Sequence, residues 1–354
     1  MHRFGQRKLR YRTAFNRLPN TPDEGTECQA CSKGPFGMTK SKSGIDLVVD
    51  IGGTNTRCGL ARDGVLDVST NARILNAGRD GLSGILTEYL SAHKDQDIDG
   101  ICVALAGPIK DGIGTLTNLS WIIRPQDLID QTNAKEAHII NDLQAQGYGL
   151  AGLEPEALAP VIDAPTAPNG STKLVLNVGT GFNCAGVISL RNGVHVAAAE
   201  SGHIGLPVRD AQDLDLSNHV KSAHGFAAVE DVLSGRGLER VYTWRSGGVE
   251  KSAADLMNDA ENGDAIALKT VESFIRILGA VAGDLTLIHL PYGGVYFVGG
   301  VARAMKPYFE RMGFGENFRD KGRFATFMDD FSVQIVEDDN AAMIGCAQFL
   351  KNSR

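Results

Sequence analysis

"IDLVVDIGGTNTRCGLARDGVLDV", residues 45–68, is an apolar run, a Gly-Gly break, a second run, an Asp-Gly pair and a third run. The runs have the length and β-branched content of strands, and the glycine breaks read as turns. The plan recurs in "KLVLNVGTGFNCAGVISLRNGVHV", residues 173–196, with Gly-Thr-Gly in the first turn and Asn-Gly in the second. Gly52 matches Gly179 at an offset of 127, and Gly64 matches Gly193 at an offset of 129. A three-stranded unit that occurs twice predicts a duplicated, two-lobed α/β fold. Two unrelated hairpins are the plainer alternative, since hairpin turns favour these residues anyway.

Glycine opens backbone angles closed to other residues and lets main-chain N–H groups approach an anion. Two such turns facing each other can hold the β- and γ-phosphates of a nucleotide between lobes. The commoner phosphate loops are excluded: neither turn opens a helix, and the chain has no G-x-x-x-x-G-K-[ST] and no G-x-G-x-x-G. Asp50, at the end of the first strand, can meet a metal's water shell or simply cap the turn. A third glycine pair, Gly299-Gly300 in "YGGVYFVGGVARAM" (292–305), follows a strand. Close approach to a flat ligand such as adenine explains it, and so does a tight strand-to-helix turn.

Polar residues cluster in three places. "AHIINDLQA" (137–145) ends a buried strand on Asn141 and Asp142, either a helix cap or a reactive pair. "AAESGHIGL" (198–206) sets Glu200 and His203 around a glycine, and Glu230 opens an expected helix in "AAVEDVLSGRGLERVY" (227–242). Singly these are a surface carboxylate, a core histidine and a solvated glutamate. Together they supply acceptors and donors suited to a ring of vicinal hydroxyls. In "EDDNAAMIGCAQFL" (337–350) a helix is expected whose Ala341, Ala342, Gly345 and Ala347 let a neighbour pack closely, as an interlobe hinge or any tight core requires.

The chain of 354 residues, 43% apolar and 22% charged, is an ordinary globular composition of roughly two domains. Residues 1–37 hold seven basic and three acidic residues, a net of +4, so the −7 of the whole chain leaves −11 on the body. An acidic body argues against nucleic acid or an anionic membrane as partner. No apolar run approaches the ~18 residues of a membrane span. The six scattered cysteines argue against a disulfide framework and suit a reducing cytoplasm. We read residues 1–43 as a basic, disordered extension with a natural start at Met38; the acid-free first 20 residues also have a transit-peptide composition, apart from lacking serine. "CQAC" (28–31) is half of a zinc site without a second pair, and reads as metal-free.

In order along the chain, "DIGGTN" (50–55), "LTNLSW" (116–121), "IIND" (139–142), "GTG" (179–181), "ESGH" (200–203), "VLSGRGL" (232–238), "VGG" (298–300) and "DNAAMIG" (339–345) resemble the motifs of the bacterial glucokinase family of the actin-like sugar kinases. The resemblance spans about residues 44–350. It implies two ribonuclease-H-like α/β lobes with a cleft between them: a small one of residues 44–152 plus 338–354, and a large one of 153–337. It implies transfer of the γ-phosphate of ATP to the 6-hydroxyl of glucose, with Asp142 as general base and Asn141 on a neighbouring hydroxyl. Glu200, His203 and Glu230 would grip the remaining hydroxyls. Asp50, Ile51, Gly52, Gly53, Thr54 and Asn55 would handle phosphate and, through water at Asp50, Mg²⁺. Gly179, Thr180 and Gly181 would form the second phosphate turn, and Gly299 and Gly300 would lie at the adenosine. The related ROK family carries a cysteine-rich zinc motif after its E-x-G-H; "IGLPVRDAQDLDLSNHV" (204–220) has no cysteine, which points to the non-ROK type without structural zinc. Asn183 stands where the family often has glycine. Glucose and ATP are the expected partners, with a homodimer allowed. A kinase for another hexose, or a sugar sensor without catalysis, are the alternative readings. A free aspartate has a pKa of about 3.9, so Asp142 is expected to be ionised at neutral pH without activation.

Overall fold

A computed structural model describes residues 44–116, 119–191 and 193–354. The expected N-terminal extension, the "CQAC" pair, and Thr117 and Asn118 of "LTNLSW" lie outside the described residues. The first repeat forms an antiparallel meander, β1 (Ile45–Ile51), β2 (Asn55–Arg62) and β3 (Val65–Leu75). Asp63 and Gly64 both have positive φ, the conformation a two-residue hairpin turn needs. After helix α1 (Leu82–Ser91), β4 (Ile98–Leu105) lies parallel to β1. Three short strands, β5 (Ile109–Lys110), β6 (Ile113–Thr115) and β7 (Ile122–Ile123), and helix α2 (Pro125–Thr132) lead to β8 (Glu136–Asn141), parallel to β4. The sheet order is β3-β2-β1-β4-β8. Helix α3 (Asp142–Gly149) follows without a loop.

The second sheet begins with β9 (Leu158–Ile162) and then the second repeat, β10 (Lys173–Val178), β11 (Phe182–Leu190) and β12 (Gly193–Ala197), again an antiparallel meander. Helices α4 (Ala211–His224), α5 (Gly235–Arg245), α6 (Ala253–Glu261) and α7 (Ala265–His289) precede β13 (Val295–Val298). Helices α8 (Gly300–Met305) and α9 (Phe314–Arg319), strand β14 (Val333–Val336) and helix α10 (Ala341–Ser353) complete the chain. The order β12-β11-β10-β13-β14-β9 repeats the first sheet's plan, with β13 parallel to β10 and β14 parallel to β13. The duplication inferred from two glycine turns is therefore a duplication of sheet topology, and the fold is the two-lobed α/β architecture.

Side-chain alternation sorts the core into layers. Leu47, Val49 and Ile51 of β1 pack against α1 and α2, whereas Val48 faces the other way, with Cys102 and Ala104 of β4, toward α3 and α10. Val175, Ala185 and Val187 of the second sheet close that middle layer from the opposite side. The outer face of the second sheet packs on α5, α7 and α9 through Leu174, Leu176, Phe274 and Phe314. Strands covered on both faces read as continuous apolar runs, and "IDLVV" is one. Helices α3 and α10 thus lie between the two sheets. Arg354 ends α10 on the buried Asp46 of β1 (2.7 Å) and on Glu136 of β8 (2.6 Å).

The crossing of α3 and α10 is a contact of bare backbone. A Cβ at Gly345 would lie 1.6 Å from the Ala145 carbonyl oxygen, and one at Gly149 would lie 2.3 Å from that of Ala341. Alanine is a better helix former than glycine by about 1 kcal/mol, but forcing a methyl into a filled site typically costs ~1–3 kcal/mol and more where backbone must move. Gly345→Ala should therefore lower the urea midpoint and the thermal midpoint. A variant as stable as its parent would show that the two helices can separate without loss.

Candidate active site

Strands β1 and β10 end on the two glycine turns. In the first, the Gly52 N–H donates to the Asn55 carbonyl (3.0 Å), and Gly53 and Thr54 are exposed. Asn76, only 3% exposed, holds this turn from behind. Its Nδ2 donates to the Gly52 carbonyl (2.8 Å), its N–H to that of Thr54 (2.9 Å), and its Oδ1 accepts from Thr56 Oγ1 (2.8 Å). The Ile51 side chain is fully buried in the core of the first sheet, so it is the main chain at that position that can face a ligand.

In the second turn the Gly179 N–H donates to the Gly181 carbonyl (3.0 Å), and the Gly179 carbonyl accepts from the Gly235 N–H at the start of α5 (2.8 Å). A Cβ at Gly181 would sit 2.6 Å from Glu230 Oε2. Because β13 runs parallel beside β10, Gly299 comes up against this turn. Its φ is 101°, and a Cβ there would meet the Val178 carbonyl oxygen at 2.5 Å. The tight strand-to-helix turn alone accounts for Gly299. Gly300 is exposed, with nothing near its would-be Cβ.

The capping reading of Asn141-Asp142 holds. Asn141 is the N-cap of α3: its Oδ1 accepts from the Leu143 N–H (3.0 Å), and its own N–H reaches Gln144 Oε1 (3.4 Å). Asp142 is the first helical residue, partly buried, and also accepts from Leu143 N–H (2.9 Å). Burial, and next the neighbouring Asp50, push its carboxyl up to about 6, against the pull of the Leu143 N–H and the Asn141 amide. The carboxyl is therefore less acidic than a free aspartate, because burial disfavours its charge, and it stays largely ionised at neutral pH as expected. Burial likewise raises Asp50, which pairs across the hairpin with Arg57, whose charge lowers it. Asp50, Arg57, Gln146 and Gly299 line a cavity of about 110 Å³.

Glu200 and His203 are exposed on a loop beyond β12, and Gly202 between them permits close packing: a Cβ there would fall 2.1 Å from the Phe182 carbonyl oxygen. Glu230 does not open a helix. It lies in the turn before α5, which starts at Gly235 with Ser234 as its cap. It bridges two parts of the site, accepting from the Phe182 N–H (2.9 Å) just past the second glycine turn and donating its own N–H to the Gly202 carbonyl (2.9 Å). His203 and Glu230 share a cavity of about 360 Å³ with His224, Phe226, Asp231 and Arg236. Gln144 of α3 donates to the Val196 carbonyl (3.0 Å), tying the helix headed by Asp142 to the strand that leads into Glu200. Among the described residues no hydrogen bond joins Asn141 or Asp142 directly to Glu200, His203 or Glu230. A separate cavity of about 390 Å³, lined by Tyr148, Lys173 and Ser189, lies at the far ends of β10 and β11 and holds none of these residues.

Asn76 and Gln144 escape sequence reading. Asn76 follows β3 with no motif around it, whereas Gln144 stands three residues after an N-cap, a capping-box position that could have signalled it.

The glucokinase family model matches residues 47–353. A glucokinase of Agrobacterium fabrum is 30% identical over 311 residues, covering 86% of this chain and 91% of its own. The crystal structure of a glucokinase from an Antarctic psychrotroph superposes with a TM-score of 0.79 at 29% identity, covering 87% of this chain and 99% of that one. A glucokinase from Balamuthia mandrillaris, solved in complex with glucose, shares the fold with a TM-score of 0.71 at 22% identity, covering 88% of this chain and 95% of that one.

A carboxyl whose folded pKa lies above its unfolded value favours the fold below the unfolded value, and that contribution is lost as pH rises through the folded one. For Asp142 the window runs from about 4 up to about 6. Asp142→Asn should raise the thermal midpoint of the ligand-free protein by a few degrees at pH 7.5, and the gain should vanish by pH 4. A difference independent of pH would mean that the carboxylate is not held in an unfavourable charged state.

Proposed function

The chain belongs to the glucokinase family and catalyses ATP-dependent phosphorylation of glucose at its 6-hydroxyl; on that premise we propose which of its residues carry each part of the work. Asp142 is the general base. What supports this assignment is its position as the first residue of α3, directly at the end of β8 and near Asp50, where burial pushes its carboxyl up. A base near pH 6 still accepts a proton at neutral pH, and more strongly than a free aspartate. Asn141, fixed by capping α3, holds a neighbouring hydroxyl and keeps the carboxylate oriented. Glu200, His203 and Glu230 take the other hydroxyls. Glu230 meets the sugar with one oxygen while the other stays on the Phe182 N–H, so sugar and second phosphate turn share one side chain.

The Gly52–Asn55 and Gly179–Gly181 turns present main-chain N–H groups to the β- and γ-phosphates, and the exposed Gly300 face lies open to the adenosine. Asp50 and Asp142 are two carboxylates that burial raises, with Asp50 further raising Asp142. That donor set fits a divalent cation met through water at Asp50. Asp50 would hold Mg²⁺ through water, and the ion would supply positive charge against the transferring phosphoryl group. The chain's own part is to position O6, accept its proton on Asp142 and exclude water between the lobes.

We further assign residues 44–152 with 338–354 to the small lobe and 153–337 to the large one. The cysteine-free stretch after His203 supports the non-ROK type. A cytoplasmic enzyme with only small-molecule partners fits the −11 charge of the body, and no helix among the described residues is long and apolar enough to cross a membrane. Light scattering would decide whether it forms a homodimer.

Two variants test the assignment. General base catalysis is typically worth ~10²–10⁴-fold, so Asp142→Asn should lower kcat at least a hundredfold while glucose affinity changes far less. Retention of a tenth of the parent kcat would remove Asp142 from that role. Glu200→Gln exchanges an anionic acceptor for an amide, a loss of about 1.5–3 kcal/mol for a charge-assisted bond. The KM for glucose should rise roughly tenfold to a hundredfold, with the KM for ATP nearly unchanged. Equal effects on both substrates would move Glu200 out of the sugar pocket.

A further inference from the structure

Pairing between β11 and β12 stops at Gly186 and Ala197. Beyond it the chain leaves the sheet to form the loop that carries Glu200 and His203, with no ladder to hold it. The side chain of Asn183, three residues before the end of the pairing on β11, takes over. Its Nδ2 donates to the Ala199 carbonyl (2.6 Å); its Oδ1 accepts from the Ser201 N–H (2.9 Å), the Ser201 hydroxyl (3.2 Å) and the Cys184 N–H (2.8 Å). The amide is therefore oriented without ambiguity, oxygen toward N–H donors and nitrogen toward a carbonyl. It brackets Glu200 on both sides.

The rest of the loop is held differently. The His203 N–H to the Glu200 carbonyl (3.2 Å) and the Ile204 N–H to the Ser201 carbonyl (3.4 Å) are bonds within the turn, and Glu230 holds the later half through Gly202 (2.9 Å). Alternation along β11 sends Phe182 and Cys184 to the outer core and puts Asn183 on the side of Ala185 and Val187, the face toward α3. Of the partners, Ser201 and Cys184 are buried and Ala199 is partly buried, so the amide also satisfies main-chain groups that water does not reach.

We propose that Asn183 is a positioning residue for sugar binding: its side chain replaces the missing strand pairing at Ala199–Ser201 and so fixes where Glu200 points. This rests on the reading of Glu200 as a sugar ligand. Asn183 touches no substrate, and its effect runs through the loop.

The test is steady-state kinetics of Asn183→Ala and Asn183→Asp beside Glu200→Gln, with KM for glucose and for ATP measured separately. Asn183→Asp keeps size and acceptor but sets a second oxygen against the Ala199 carbonyl, so it breaks the bracket with little change of shape. Both Asn183 variants should raise the glucose KM about tenfold, leave the ATP KM within about twofold and lower kcat only slightly, the pattern of lost ground-state binding. Thermal midpoints should stay within a few degrees of the parent. Unchanged glucose KM in a folded Asn183 variant, or equal rises for both substrates, would overturn the proposal, as would failure of both variants to fold, which would make Asn183 a structural residue of β11. If Glu200→Gln is itself silent, the sugar assignment of Glu200 fails first; if it responds and the Asn183 variants do not, only the positioning role fails.

Discussion

Two helices cross between the sheets with glycine on both sides of the contact, and much else follows from how closely they approach. Gly345 lies under the Ala145 carbonyl and Gly149 under that of Ala341, so α3 and α10 touch through main chain. Any side chain there would spread the middle layer and with it the two sheets. The same helix α3 carries Asp142 on its first turn and reaches the second sheet through Gln144 and Val196. The distance between Asp142 and the loop after β12 is thus set by a backbone crossing about 5–10 Å along the helix, at about 1.5 Å per residue.

The helix start also sets the surroundings of the carboxylate beside the cap. Capping α3 with Asn141 fixes the strand-to-helix corner, and this leaves Asp142 as the first helical residue, its charge stabilised by the Leu143 N–H, its own N–H and the Asn141 amide. These bonds offset only part of the cost of removing a carboxylate from water, and the nearby Asp50 adds repulsion. The result is a carboxylate more basic than that of a free aspartate and yet charged at neutral pH.

Across the site, rigidity is borrowed from side chains where the sheets stop. Asn76 braces the first glycine turn, Glu230 joins the second turn to the loop of Glu200 and His203, and Asn183 holds that loop's first half. Each is a polar group whose hydrogen bonds are largely spent on backbone. This permits the turns and loop to leave regular structure, with donors and acceptors facing the cleft, without leaving buried polar groups unpaired.

The architecture was legible in the residues because it is written locally. Strands appear as apolar runs, turns as Gly-Gly, Asp-Gly and Asn-Gly, and duplication as two matching spacings, so the paired sheets and the position of Asn141-Asp142 at a strand end could be read before any coordinates. The ordered motifs extended that to the glucokinase family. What could not be read depends on partners far apart in the chain. Glu230 was expected to open a helix, yet it sits in a turn bonded to Phe182, 48 residues away. Ile51, adjacent to the turn in sequence, faces the core because strand alternation sends it there. The pKa of Asp142 is set by burial and by Asp50, 92 positions earlier. Periodicity and turn chemistry report the conformation of neighbouring residues; solvent exclusion, charge proximity and hydrogen bonds between separate strands exist only once the two lobes have closed their shared layer around α3 and α10.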